Sequence, residues 1–536
     1  MKTYQCLTGE TVLLVGEGNF SFTIDFVNFH NSLKLHPKIW SSCYENDLDK
    51  FSEKKLRNIE FIKTKDIEVL LGVDATNINN NTLLQNLKFS KIIFNFPHVG
   101  GKMKINLNRS LLKNFFQSAS KVLLDNGLII VALCNGQGGT EADTKIRRWD
   151  DTWQIVEMAA HSDFILKCTE PFDLTLFPNY SSVGFRGRDI SFHTAGGVVH
   201  VFKKGDYYSI RSEQEMLGDF ELQPINTIFG SKMSSKVYTS KISNNPFKNY
   251  ESPQSYLFQI LQRSFSSVNV QYIQDILTTI HKGTCETSLE CVSNRERSDH
   301  NELLTFIYSY IFSQNTELKT EFVIAKHLFC NQLQKDFNVS PVVCQVVVFG
   351  DNCTEKLKSF LNNLLQLFKK VEYFTDDNFI LTKENIMVCT SINLNYESVE
   401  CCLLDIDKLA MILFKTIDWK CLWTKGGYIK ENDEGLPQFM PHILHTRIYT
   451  FDICFSDNKD FTEDKFFKVL WHIAGDIIES IQLLNIYEPK DRDFLCYCYR
   501  INYRSYSYPF YRKRVIDIHK NVIGKMLSSV LKVNIS

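Results

Sequence analysis

The sequence predicts an α/β chain in three parts: a parallel sheet built of βαβ units, a smaller α/β region and a terminal α+β unit. Three observations carry this. Short apolar, β-prone runs alternate with helix-patterned runs over the first two hundred residues, which argues for βαβ units. Polar, Ser- and Asn-rich stretches without period break the chain at 230–252 and about 283–300. From about residue 441 the order becomes strand, helix, strand, strand, helix, that of a split βαβ unit. At 536 residues the chain is too long for one core. Its boundaries are expected at 1–205, 206–300 (linker-rich), 301–440 and 441–536.

Each element has its own warrant. "TVLLVGEG" (11–18) is a buried strand running out into glycines, and a helix follows from about Ser21. "KIWSSCYEN" (38–46) is a second strand, leading into the helical "DLDKFSEKKL". "VLLGVDAT" (69–76) is a third, after which "NTLLQNL" (81–87) has a helical pattern. "KIIFNFP" (91–97) is a fourth, with the helix "NRSLLKNFFQSASKVLL" behind it, and Gly127 starts a fifth, "LIIVALCN". In the middle region Leu357, Phe360, Leu361, Leu364, Leu365 and Phe368 mark one face of a helix. At the end, "TRIYTFDICFS" is a strand, "DKFFKVLWHIAGDIIESI" the helix, "CYCYRINYRSY" a strand, and a helix begins near Lys513.

Composition excludes several classes. With 44% hydrophobic and 23% charged residues the chain is an ordinary globular protein. A net charge of −1 leaves any nucleic-acid contact to local basic clusters. The sixteen cysteines are scattered, with no Cys-x-x-Cys pair, so no metal is expected and the thiols read as reduced. The first residues have neither a secretory nor a transit pattern, and no apolar run approaches a membrane span, so a cytosolic or nucleolar location is expected.

Chemistry-bearing residues gather at strand ends, where ligands of such sheets sit. In "VGEGNFSF", Gly16 and Gly18 allow a sharp turn and close approach, and Glu17, Asn19 and Phe20 complete the loop into the helix N-terminus. Ser21 replaces the third glycine of a dinucleotide fingerprint, so a pyrophosphate fits poorly. Glu45 at the second strand end can accept two ribose hydroxyls, and Asp74, followed by Ala75, stands where an adenine amino group needs an acceptor. At the fourth, "FNFPHVGG" (94–101) sets Asn95, Phe96, Pro97 and His98 side by side.

"LLVGEGNFSF", "GVDAT", "IIFNFPHVGGK", "LLKNFFQSASKVL", "WQIVEMAA", "PFDL" and "FPNY" resemble the eukaryotic large-subunit ribosomal-RNA uridine-N3 methyltransferases over about residues 8–204. That resemblance implies a Rossmann-like methyltransferase domain, S-adenosylmethionine as cofactor and methylation of a pyrimidine ring nitrogen in RNA. Glu45 stands where that family more often has Asp. The base must leave any stack and face the methyl group. On this reading Asn95 hydrogen-bonds the base edge, Phe96 stacks, Pro97 fixes the turn and His98 is the general base.

Between Tyr497 and Lys525 the only acid is Asp517, while Arg500, Arg504, Arg512, Lys513 and Arg514 alternate with tyrosines that include Tyr503. Such interleaving suits a backbone-plus-stacking RNA surface. Residues 441–536 resemble the ferredoxin-fold anticodon-binding domain of mitochondrial-type phenylalanyl-tRNA synthetases, in "FDICF", "HIAGDIIESIQLL" and "VIDIHKNVIGKMLSSVLKV". "DIDKLAMILF" and "LWTKGGYIK" extend the resemblance backwards. There Leu403, Asp405 and Lys408 replace two glycines and an ATP-contacting arginine of that family, so 301–440 reads as a degenerate synthetase region that does not aminoacylate. Ribosomal RNA follows from the first resemblance and tRNA from the second. The competing readings are a non-catalytic RNA-binding factor with a vestigial methyltransferase domain, and an active synthetase.

Overall fold

A computed structural model describes residues 3–101, 104–183 and 194–210, and beyond them 251–264, 353–369, 400–416, 418–432, 434–458, 461–489 and 494–535, with short segments between these. Nearly all of the expected linker at 230–252, and all of 283–300, lies outside the described residues. The chain divides into two compact units. One holds Met1–Ser209, Ile443–Arg447 and Ser507–Val515; the other holds Ile210–His442, Ile448–Tyr506 and Ile516–Ser536.

The first unit is built on a seven-stranded sheet. Its elements are β1 (Thr11–Val15), α1 (Ser21–Ser32), β2 (Lys38–Ser42), α2 (Glu53–Lys63), β3 (Glu68–Leu70), β4 (Phe89–Asn95), α3 (Ile105–Val122), β5 (Leu123–Leu133), α4 (Ile155–Ala160), β6 (Phe164–Pro171) and β7 (Val198–Lys204). The strand order is β3-β2-β1-β4-β5-β7-β6. All pairings are parallel except those of β7, which runs antiparallel to β5 and β6. This is the Rossmann-like order with an antiparallel strand inserted at one edge. The chain works outward from β1 through β2 to β3 and then returns to β4, so β1 and β4 flank the topological switch point.

Strand pleating divides the apolar residues between two cores. Leu13, Val15, Ile92, Phe94, Ile129 and Val131 pack with Leu112, Phe115, Phe116 and Ala119 of α3 and Ile155 of α4. Val12, Leu14, Ile93, Ile130 and Ala132 pack on the other face with Phe22 and Phe26 of α1 and Ile59 and Ile62 of α2. Helices on both faces explain why these strands read as continuous apolar runs.

Two expectations shift here. Residues 82–86 form turns and not a helix; the helical turn is a 3-10 segment at Ala75–Asn80, capped by Asp74 through the Thr76 N–H. The fifth strand starts at Leu123, four residues before Gly127, with a register shift opposite Phe89 and Lys91.

In the second unit, Val342–Gly350 pairs antiparallel with Phe322–Phe329 and with Glu400–Asp405, which in turn pairs with Cys389–Asn393. Helix Cys353–Leu367 buries Leu357, Phe360, Leu361, Leu364 and Leu365, the face its spacing predicts, with Phe368 just beyond it. The ferredoxin-like part has strand Tyr449–Ser456, helix Glu463–Ala474, strands Ile478–Tyr487 and Cys496–Tyr503, and edge strand Asn534–Ile535. Its sheet is antiparallel, with Tyr449–Ser456 and Cys496–Tyr503 in the middle. The helix expected over 464–481 ends at Ala474. Gly475 follows it, and the β-branched Ile477 and Ile478 lead into the next strand.

One thiol expectation is corrected. Cys454 and Cys498 lie directly opposite each other on neighbouring strands, 4.2 Å apart at Cα, and form a disulfide. Their 44-residue separation conceals this in the sequence. Among the described residues no helix is long and apolar enough to cross a membrane.

Candidate active site

The loop after β1 is shaped by two glycines. Gly16 has φ +71°, and a Cβ there would collide with the Phe94 ring of the neighbouring β4. A Cβ on Gly18 would collide with the Val183 side chain. Phe20 is held at φ 62° with its ring fully buried, and its side chain gives α1 no cap. The cap comes from Glu17, whose Oε2 accepts from the Thr23 N–H at 3.3 Å and the Thr23 hydroxyl at 3.0 Å. That hydroxyl lies 2.7 Å from Ser41 Oγ on β2, so the loop, helix and second strand are tied together. Burial pushes the Glu17 carboxyl up to about 7. Asn19 turns its amide to Ser181 Oγ at 2.8 Å and its carbonyl to the Ser21 N–H at 3.1 Å.

Glu45, beyond β2, is partly exposed, and its Oε2 accepts from Lys55 Nζ at 3.1 Å. Asp74, beyond β3, is exposed; its Oδ1 accepts from the Thr76 N–H at 2.8 Å and the Thr76 hydroxyl at 2.7 Å, and neither bond uses Oδ2. Ala75 is buried beneath it. The strand order therefore lines up Asp74, Glu45, the Gly16–Gly18 loop and Asn95 at four consecutive strand tips. With neighbouring strands about 4.8 Å apart, the row spans about 15 Å, a nucleoside with a short chain attached.

At the tip of β4, Asn95 accepts at Oδ1 from the Tyr4 hydroxyl at 3.1 Å. Its Nδ2 is buried without a hydrogen-bond partner. A buried donor left unmet costs about 1–3 kcal/mol, which makes this nitrogen the candidate to meet an acceptor on a ligand. With Oδ1 engaged, Asn95 offers a donor only, not both halves of its amide.

The roles expected of its neighbours change. Phe96 is buried at φ 49°, its N–H on the Ala132 carbonyl at 2.8 Å and its ring packed against Phe172 and Tyr180; it is no open stacking face. Pro97 is buried beside it. His98 is exposed, and its Nδ1 accepts from the Gly100 N–H at 2.7 Å. Partial burial lowers its pKa, so the ring is neutral near pH 7 and carries its proton on Nε2. A ring in that state donates from its free edge. The general-base role expected of His98 does not fit this hydrogen bond.

The sequence reading missed residues that complete the site. Tyr4, which fixes Asn95, lies far upstream in an undistinguished segment. Asn179 holds Asp25 of α1 with its N–H and side-chain amide, both at 2.7 Å, and Ser181 reaches Ser21 and Asn19. "FPNY" is thus a clasp over the glycine loop. Among the described residues no group of three or more His, Cys, Asp or Glu is placed to hold a metal ion.

The proposed C-terminal RNA contacts separate into two kinds. Tyr503 is fully buried, its hydroxyl 2.7 Å from His519 Nδ1, and cannot stack on a base. Arg504 pairs with Glu479 at 2.9 Å and Arg514 with Asp163 at 2.7 Å, both largely buried. Arg500 forms a two-pronged pair with Asp452 at 2.8 and 2.9 Å but stays partly exposed. Of the five cations, only Arg512 and Lys513 are exposed residues. Sequence shows the charges; the fold spends most of them on carboxylates. Asp405 caps the helix that follows it, accepting from the Lys408 N–H at 2.9 Å, with Lys408 Nζ 3.5 Å from its other oxygen. The side chain of Leu403 lies outside the described residues.

Comparison with known proteins matches residues 13–184 to a family model described as "BMT5-like: rRNA (uridine-N3-)-methyltransferase BTM5-like". The chain is 25% identical to the human protein "Ferredoxin-fold anticodon-binding domain-containing protein 1", covering 92% of this chain and 94% of that one. It is 29% identical to the Arabidopsis thaliana chloroplastic/mitochondrial phenylalanine–tRNA ligase, over 22% of this chain and 28% of that enzyme. Among solved structures, the glycopeptide N-methyltransferase MtfA complexed with sinefungin covers 38% of this chain and 90% of its own, at 10% identity and TM-score 0.24.

Proposed function

We propose that this chain methylates N3 of a uridine in RNA with S-adenosylmethionine. The observation that carries the reading is the unpaired Asn95 Nδ2 at the tip of β4, beside the switch point. The match of residues 13–184 to a uridine-N3 methyltransferase family model supports it. The residues that would hold the cofactor are Asp74 for the adenine amino group, Glu45 for the ribose, and the Gly16–Gly18 loop for the rest, with Lys55 against Glu45 and Val183 against Gly18. When bound, S-adenosylmethionine supplies an electrophilic methyl group on a sulfonium.

The chain's part is orientation and charge. Uracil presents O2 and O4 on either side of N3, and both become more negative as N3 loses its proton. Asn95 Nδ2–H and His98 Nε2–H are donors and suit those two oxygens. Cytosine has an amino group in place of O4, so a donor pair rejects it. The N3 proton passes from the neutral base to water, and the two donors stabilise the anion it leaves behind. The ferredoxin-like region docks the RNA, rRNA or tRNA, a role supported by its likeness to a phenylalanine–tRNA ligase.

The full chain, methyl-labelled S-adenosylmethionine and RNA from cells lacking the protein provide the test, read by mass spectrometry of nucleosides. Label in 3-methyluridine is expected, with none when Asn95→Ala replaces the wild type. Unlabelled rRNA and tRNA would overturn the reading. A non-catalytic RNA-binding role is favoured by Val183 seated against Gly18 and Lys55 held on Glu45. It predicts no calorimetric heat with S-adenosylhomocysteine even at millimolar ligand, whereas methyl transfer requires binding.

A further inference from the structure

The loop that leaves β5 carries a basic ridge with no part in the chemistry above. The loop is pinned from within. Asp143 Oδ1 accepts from the Gly136 N–H at 2.7 Å, and Oδ2 from the Gly139 and Thr140 N–H groups at 2.8 and 3.1 Å. Asn135, just past the end of β5, clamps the outgoing chain: its Nδ2 donates to Thr144 Oγ1 at 2.5 Å and its Oδ1 accepts from the Lys145 N–H at 2.9 Å. Lys145, Ile146, Arg147 and Arg148 emerge from this clamp as four consecutive exposed side chains. Among the described residues none of the three cations is in an ion pair, unlike Arg504 and Arg514. Ile146 is 93% exposed, more than any other large apolar side chain described.

Position gives the ridge its meaning. β5 lies next to β4, with Ala132 paired to Asn95, so the ridge rises from the strand tip adjoining the proposed base site. A fixed backbone with three free cations matches an RNA phosphate chain, because desolvating them there releases counterions. A single apolar side chain held among phosphate contacts matches a wedge that fills the gap in a stack when one base swings out.

We propose that Lys145, Arg147 and Arg148 grip the phosphates flanking the target nucleotide while Ile146 inserts into the space that nucleotide vacates. This rests on the methyltransferase reading for which base is extruded, and its tests are separable from that reading.

The probe is a hairpin RNA with 2-aminopurine beside a loop uridine, bound by the full chain. The triple variant Lys145→Ala, Arg147→Ala, Arg148→Ala should lose affinity at least tenfold. Its slope of log affinity against log salt should flatten by about 2, since each phosphate contact contributes about 0.7–0.9. Ile146→Ala should keep affinity within about threefold, lose the 2-aminopurine fluorescence rise on binding, and slow single-turnover methylation about tenfold. Circular dichroism melts identical to wild type exclude misfolding, as the four side chains are exposed. An unchanged affinity and salt slope in the triple variant would overturn the grip, and an unchanged fluorescence rise in Ile146→Ala would overturn the wedge. Competition by poly-glutamate as strong as by RNA would reassign the ridge to an acidic protein partner. Failure of the methyltransferase reading alone would show as RNA binding and base extrusion without S-adenosylhomocysteine binding.

Discussion

Replacing Glu17 by Gln should remove the loss of stability that the glycine loop undergoes between about pH 4.5 and 7. Glu17 is buried, and its carboxyl is raised from 4.5 to about 7 by burial, against the opposing pull of the Thr23 hydrogen bonds and Lys55. Between those values the unfolded chain has given up the proton and the folded chain still holds it. The group's contribution is therefore full below about pH 4.5 and is lost as pH rises to about 7. Two values about 2.5 pH units apart, at 1.36 kcal/mol each, give roughly 3 kcal/mol. Gln keeps an acceptor for Thr23 and cannot ionise. Glu17→Gln should thus match wild type at pH 4.5 and exceed it by up to roughly 3 kcal/mol at pH 8. Hydrogen-exchange mass spectrometry of peptides spanning residues 11–32 reads this locally, free of the second unit's unfolding. Parallel pH profiles for the two proteins would refute both the raised carboxyl and its capping of α1.

Asn95→Ala removes a buried unmet donor along with the Tyr4 hydrogen bond, terms of about 1–3 and about 0.5–1.5 kcal/mol with opposite sign. Urea denaturation should therefore show little change, while methyl transfer falls at least a hundredfold; a purely structural Asn95 would give the reverse. Gly16→Ala meets both a φ of +71° and the Phe94 ring, so it should cost at least about 1–3 kcal/mol and lower S-adenosylhomocysteine affinity by calorimetry. Tyr503→Phe should cost about 0.5–1.5 kcal/mol through its lost bond to His519 and leave RNA affinity unchanged in filter binding, since the ring is buried.

Periodicity located the strands of the first sheet and the apolar face of helix Cys353–Leu367, because period 2 and period 3.6 are written directly into which residues are apolar. It failed where local competition decides. At 81–87 the Asn81 side chain accepts from the Leu83 N–H and the chain turns, although the apolar spacing is helical. At Ala474 a glycine and two isoleucines end a helix that hydropathy alone would carry onward. The glycine loop was legible because only glycine tolerates Gly16's backbone and the pressure of Phe94.

The roles of polar residues were less legible, and the reason is range. A hydrogen bond is decided by whichever partner the fold brings within about 3 Å, and nothing in "FNFPHVGG" announces that Tyr4 will take one half of Asn95's amide. His98 changes from acceptor to donor through a single amide two residues away. The arginines of the C-terminal segment look alike in sequence, yet Arg504 and Arg514 are neutralised by Glu479 and Asp163, while Arg147 and Arg148, on an unremarked loop, stay free. What the sequence determined by itself was the parallel α/β sheet and the row of candidate groups at its strand ends, since these follow from short-range pattern and chain order. Which of those groups still has an open hydrogen-bonding valence was decided only by the tertiary structure, because satisfying a polar atom depends on partners that come from anywhere along the chain.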